Sequence, residues 1–191
     1  MSSEPWPARW SPPRAIDPAH DVSRFDSGER SIDDFLKNHA LRNHQERYSL
    51  VVVLADQSGE VFGYYALTYG SIARNTALPR KLRHGAPDQI PAMILARLGV
   101  DRRVQGRGTG RHLLGHAIRT VLWTAEQPIA SAFPPFAVMA IKALDEARAA
   151  FYARNGFQSF DASRPLDLVR RIRDLAADTA MAAKLSAARA E

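Results

Sequence analysis

The sequence predicts a single α/β domain, a mixed central sheet with helices packed against it. Three observations point there. Two β-branched and aromatic runs, "SLVVVLAD" and "EVFGYYALTYGSI", flank a turn at Gln57, Ser58 and Gly59. Two further apolar runs, "AMILARLGV" (92–100) and "FAVMAIKA" (136–143), alternate with segments of helical period. The length, 191 residues, suits one domain with a full core, or one domain with a terminal extension.

In chain order, residues 1–19 are rich in Pro, Trp and Arg without periodicity and read as an irregular lead-in or a short edge strand. Ser31 then reads as an N-cap, with Asp33 and Asp34 in a first turn where they suit the helix dipole and with Ile32, Phe35, Leu36 and Ala40 on one face. A helix over about 31–46 follows. The two β-rich runs make a hairpin. "ARNTALPRKLRHGAPDQIP" is bounded by prolines and reads as a loop, and the strand 92–100 delivers the chain to Asp101 and a glycine cluster. Apolar side chains at 113, 114, 117, 118, 121, 122 and 125 give a helix over 109–125. After "EQPIASAFPP" come the strand 136–143 and a short helix, "DEARAAFYARN", that closes at Gly156, the position a C′ glycine takes. "PLDLVRRI" reads as a last strand, and residues 174–190 as an Ala-rich helix with Leu175, Ala182, Leu185 and Ala188 on one side. There is no internal repeat.

The absence of cysteine excludes disulfides, thiolate metal sites and thiol nucleophiles. No run approaches the length of a membrane span and "MSSEPWPARWSPPR" carries no signal-like apolar region, so the expected compartment is the cytoplasm, with no membrane partner. A net charge of +6 favours a polyanionic partner over simple solubility only through its distribution. Arg74, Arg80, Lys81, Arg83 and His84 cluster, as do Arg102, Arg103, Arg107 and Arg111, and Arg164, Arg170, Arg171 and Arg173.

The chemistry concentrates in "QGRGTGRHLLGHAIRTVLW" (105–123), where Gly106, Gly108 and Gly110 stand between a strand and a helix start. That order aims backbone N–H groups and the positive end of a helix dipole into one concavity, an anion site and most often a phosphate site. The alternative is a tight turn and nothing more. No glycine is followed by lysine, which excludes a P-loop, and Arg111 stands where a dinucleotide fingerprint needs its third glycine.

Gln105-x-x-Gly108-x-Gly110 after a strand resembles the acetyl-coenzyme A signature of the GNAT superfamily of N-acetyltransferases. The resemblance implies one domain over 1–191, with a mostly antiparallel sheet and a splayed strand pair; the C-terminal helical extension over 174–191 runs past the family's usual end. It implies acetyl-CoA as donor, held by Leu98, Gly99, Val100, Arg103, Gln105, Gly106, Arg107, Gly108, Thr109, Gly110 and Arg111. The pantetheine arm would pair along Arg97 to Val100. Tyr152, four positions before Gly156-Phe157, matches the family tyrosine that protonates the departing thiolate. "HDVSRFDSGERSIDDFLKNHALRN", "VFGYYALTYGSI", "PDQIPAMILARLGVDRRVQGRGTGRHLL" and "KALDEARAAFYARNGF" together are similar to the GNAT toxins of bacterial toxin–antitoxin pairs. Those acetylate the α-amine of aminoacyl-tRNA, block translation, and are neutralised by a ribbon-helix-helix antitoxin that also binds operator DNA. Lys142, where a histidine is usual, and the loop "ASAFPPF" depart from the pattern.

The residues agree with that likeness. An aminoacyl-tRNA is a polyanion ending in an amine, and Arg42, Arg47, Arg74, Arg80, Lys81 and Arg83 are the candidate tRNA contacts. An α-amine with pKa near 8 is substantially neutral in the cell, so no strong base is needed. Asp101 and Asp145 sit where helix caps belong. His112 and His116 lie opposite the apolar stripe and lack a third ligand, so they read as surface residues and no metal is expected. The Ala-rich tail and the "VFGYYALTYG" strand are candidates for a homodimer contact. Two other readings stay open: a GNAT enzyme acting on a small amine or protein N-terminus, and a non-catalytic GNAT-like binding or corepressor module.

Overall fold

The computed structural model describes residues 10–74, 83–126, 135–161 and 163–188. Seven strands form one sheet in the order β1-β2-β3-β4-β5-β7-β6. The chain divides into two compact units, Met1–Thr68 with Leu95–Ala117, and Tyr69–Ile94 with Ile118–Glu191.

In the first unit β1 (Arg14–Ala15) lies antiparallel to β2 (Leu50–Ala55), and β2 to β3 (Val61–Ala73), with Val52 opposite Tyr65 and Leu50 opposite Leu67. The expected hairpin is therefore present. Its turn is closed by Asp56, whose side chain accepts from Ser58 N–H, Ser58 Oγ and Glu60 N–H. The register shifts between Leu54 and Ala55, a bulge that leaves Phe62 as the extra residue of β3. Val51, Val53, Tyr64 and Ala66 share a core with Phe25, Ile32, Leu36 and Ala40. Burying each large member contributes roughly 1.5–3 kcal/mol.

The helix α1, residues 30–45, supplies Ile32, Leu36 and Ala40 to that core. It starts one residue before the sequence suggests. Glu29 is the N-cap and makes no side-chain cap bond, so Ser31 is not the cap. Asp33 does the anchoring, accepting from Ser27 N–H at 2.9 Å and Ser27 Oγ at 2.6 Å. At Phe35–His39 the helix widens into a π turn, in which Ala40 N–H donates to the Phe35 carbonyl five residues back. A spacing of four slightly overshoots one 3.6-residue turn, so Ile32, Leu36 and Ala40 would drift around an ordinary helix. The wider turn winds less per residue and returns Ala40 to the buried line.

In the second unit, β5 (Val138–Lys142) and β7 (Arg164–Arg171) are antiparallel, with Ala140 opposite Val169. Ile90, Ala92, Val138, Ala140 and Val169 form its core. β4 (Gln89–Val100) begins three residues before the expected strand, so the expected loop gives up both ends; its middle, 75–82, lies outside the described residues. β5 returns beside β4 through the helix α2 (Thr109–Glu126), the crossover that a parallel pair needs. α3 (Glu146–Arg154) is capped by Asp145, which accepts from Arg148 N–H at 2.8 Å, and closes at Gly156 with φ 83°. The strand at "PLDLVRRI" is β7, but its hairpin partner β6 (Gln158–Asp161) was not visible in the sequence, being four residues long without apolar alternation. α4 (Ile172–Ala188) is the Ala-rich helix, seated by the buried Leu175 and by ion pairs from Arg171 to Asp174 and Arg170 to Asp178.

Candidate functional site

The glycine turn is built at the C-terminal end of β4. Asp101, fully buried, caps a single 3-10 turn, Arg102–Val104, by accepting from Arg103 N–H at 2.9 Å, and so plays the capping role expected of it. Gly106 and Gly108 then take φ of 72° and 81°, a left-handed backbone that side chains resist. A Cβ at Gly106 would meet nothing within 4 Å, and one at Gly108 only the His112 ring at 3.9 Å. The glycines therefore serve the backbone angle and leave the space above the turn open. Helix α2 follows, with Thr109 Oγ1 donating to the Val104 carbonyl and the His112 N–H closing the first bond onto Gly108. The N–H groups of Thr109, Gly110 and Arg111 precede the helical ladder and supply the donors an anion needs.

The neighbouring side chains divide into two kinds. Arg107 and Arg111 are exposed beside the turn. Arg103, expected to add charge to the rim, spends its guanidinium elsewhere. Nε and Nη2 each donate to Asp101 at 2.8 Å, Nη1 donates to Glu60 at 2.7 Å, and the group lies 4.7 Å over the Phe62 ring. Gln105 stays exposed, its amide nitrogen donating to the carbonyls of Ser27 and Val100 at 2.9 and 2.8 Å. Burial pulls the Asp101 carboxyl upward, but the hydrogen bonds from Arg103 and Asp26 outweigh it and hold the group below its usual range.

Leu98, Gly99 and Val100 end β4. Gly99 is fixed by crowding, since a Cβ there would stand 2.5 Å from Ile32 and 2.7 Å from Tyr64. Tyr64 in turn donates to the Ile32 carbonyl at 2.8 Å, which ties α1 to β3. Arg97 lies 5.3 Å over the Phe35 ring and donates to the Ala96 carbonyl.

In the second unit Tyr152 sits on α3, 7% exposed, edge-on to Phe151 and Phe157. Burial pushes its phenol up to about 12, against a small opposing pull from Arg148. It stays protonated over the whole physiological range, as an acid must. Asp145 and Gly156 fix the two ends of its helix, and Arg170 Nη1 donates to the Asn155 carbonyl at 3.0 Å.

Of the candidate tRNA contacts, Arg42 is exposed, 3.7 Å from Glu46, and Arg47 is held at φ 61° after α1; both belong to the first unit. Arg74, paired with Asp88, and Arg83 belong to the second. Arg80 and Lys81 lie outside the described residues. His112 is exposed, but His116 is not the plain surface residue expected, because its Nδ1 meets the hydroxyl of the fully buried Tyr65 at 2.8 Å. Helical period alone places His116 outside the stripe. The signal missed was a tyrosine on the facing strand with a polar tip to satisfy. "VFGYYALTYG" lies in β3, between β2 and β4 in the sheet order, and β2 pairs with it from Val61 to Leu67. Among the described residues no group of three or more His, Asp or Glu is placed to hold a metal, and no helix is long and apolar enough to cross a membrane.

Residues 47–159 match the Acetyltransferase (GNAT) domain family. A "tRNA-acetylating toxin" of Mycobacterium tuberculosis (strain ATCC 25618 / H37Rv) is 40% identical over 165 residues, covering 86% of this chain and 94% of that protein. Among solved structures, AtaT complexed with acetyl-methionyl-tRNAfMet is 26% identical with a TM-score of 0.77, covering 87% of this chain and 96% of the other. AtaTR bound with AcCoA is also 26% identical, with a TM-score of 0.73 over 87% and 96% of the two chains.

Proposed function

We propose, from the premise that this chain belongs to the GNAT acetyltransferase family, that it is a toxin transferring the acetyl group of acetyl-CoA to the α-amine of aminoacyl-tRNA and so blocking translation. The observation that carries the reading is the open amide turn at the start of α2, with Gly106 and Gly108 at positive φ and clear space above them. It suits the diphosphate of acetyl-CoA, which supplies the activated acyl group when bound. The N–H groups of Gly106 to Arg111 would hold that diphosphate, with Arg107 and Arg111 adding charge. The backbone of Leu98, Gly99 and Val100 would align the thioester and polarise its carbonyl. Tyr152 is the acid, giving its proton to the departing sulfur. The amine arrives neutral, so catalysis rests on positioning.

Charged tRNA is the acceptor and an antitoxin the neutralising partner, through which the toxin reaches operator DNA. Arg42, Arg47, Arg74, Arg80, Lys81 and Arg83 would contact the tRNA phosphates. We read the whole of 1–191 as one domain with a C-terminal helical extension, working in the cytoplasm where charged tRNA is found.

The deciding experiment incubates labelled acetyl-CoA with bulk charged tRNA and identifies the modified aminoacyl species. Label on the amino acid of a subset of tRNAs is expected. Transfer to small amines or protein N-termini without dependence on tRNA would replace this reading with the broader acetyltransferase one.

A further inference from the structure

We infer that Asp101 and Arg103 are positioning residues that set the direction of the amides in the phosphate turn, and that Arg103 acts through carboxylates without touching the diphosphate. The inference rests on the acetyl-CoA reading for its ligand and on independent geometry for its mechanism. The buried Asp101 carboxylate accepts four N–H groups: Arg103 N–H and Nε on one oxygen, Arg103 Nη2 and Asp26 N–H on the other, at 2.8 to 3.1 Å. Arg103 Nη1 continues to Glu60 at 2.7 Å, and Phe62, displaced by the β-bulge, lies under the guanidinium.

Two segments distant in sequence are thus bolted to the turn, the stretch Asp26–Gly28 on one side and the start of β3 on the other. Arg102 N–H to the Asp26 carbonyl at 2.8 Å and Gln105 to the Ser27 carbonyl add to the first attachment. With two carboxylates beside one guanidinium, the cluster adds no positive charge to the turn. Three of the five guanidinium N–H groups of Arg103, one from each nitrogen, donate to carboxylates, in the fork geometry that lysine cannot copy.

The test measures acetyl-CoA binding by calorimetry, steady-state kinetics, and amide hydrogen exchange over 103–109, for the wild type and for Asp101→Asn, Arg103→Lys, Arg103→Met and Glu60→Gln. The expected result is an acetyl-CoA Kd raised about tenfold in Asp101→Asn and in Arg103→Lys. kcat at saturating donor and KM for charged tRNA should move by less than about twofold, and exchange over the turn should quicken. Glu60→Gln should shift Kd and exchange in the same direction by less, which keeps the test decisive should Asp101→Asn fail to fold. Wild-type affinity in Arg103→Lys, with weak and less salt-sensitive binding in Arg103→Met, would make Arg103 a direct phosphate contact and overturn the inference. Lower thermal stability with unchanged Kd and unchanged exchange would overturn it too. If the wild type itself bound no acetyl-CoA, the acetyl-transfer reading would fall, while exchange in the unliganded chain would still decide the clasp.

Discussion

At the residue scale, two glycines seven positions apart hold their places for opposite reasons. Gly106 has free space and an unusual backbone angle; Gly99 has an ordinary angle and no space. Gly106→Ala should cost about 1–2 kcal/mol of stability through its left-handed φ and weaken acetyl-CoA binding. Gly99→Ala should cost about 1–3 kcal/mol by overpacking Tyr64 and Ile32. Thermal melts and donor calorimetry on the pair separate the two effects. Tyr152→Phe should lower kcat about 100-fold to 10,000-fold while acetyl-CoA still binds. Because burial raises this phenol to about 12, the rate should climb as the acceptor amine deprotonates and show no alkaline decline below about pH 10. A decline near pH 8 would point to another acid. The stability sign follows: the native phenol holds its proton more tightly than the unfolded one, so its contribution is complete below pH 10 and fades as pH rises toward 12.

At the scale of elements, the sequence was most informative where a period and a terminator coincide. α2 carries apolar spacing after a glycine start, α3 lies between an aspartate cap and a glycine end, and both lie within a residue or so of the expected bounds. What escaped was what one strand tells another. β6 has no pattern of its own and exists because β7 offers an edge, and the pairing of Arg103 depends in part on Glu60, 43 residues earlier. The reach of a side chain across the sheet leaves no mark in local spacing. The cap of α3 was legible, and Asp145→Ala should lower stability by about 1 kcal/mol, read as a shift in thermal midpoint. The π turn of α1 was illegible, because spacings of four look the same whichever way a helix winds. Deleting Asn38 should restore ordinary winding and leave Leu36 and Ala40 three positions apart, about 60° off one line on the helix surface. A circular-dichroism melt should then show a lowered thermal midpoint.

At the scale of the whole molecule, the arginine content is where sequence and structure part company most. Arg42, Arg74, Arg103, Arg148, Arg170 and Arg171 each have a carboxylate neighbour, so the arginine count overstates the unpaired positive charge that a polyanion would meet. The dependence of charged-tRNA KM on salt should report that smaller number. Its logarithmic slope ought to match a few phosphate contacts, far short of the 26 Lys and Arg side chains. The sheet carries a further lesson in its margins. Its long members, β3 with 13 residues and β4 with 12, lie inside, while the outermost are β1 with two and β6 with four. Clipping the chain after Ile16 would remove the two-residue guard and the bonds that Ser11 and Ile16 make to β2, baring the valine row Val51–Val53. A protein so trimmed would offer its flank as a template for neighbours and should precipitate on concentration, with its catalytic parts untouched.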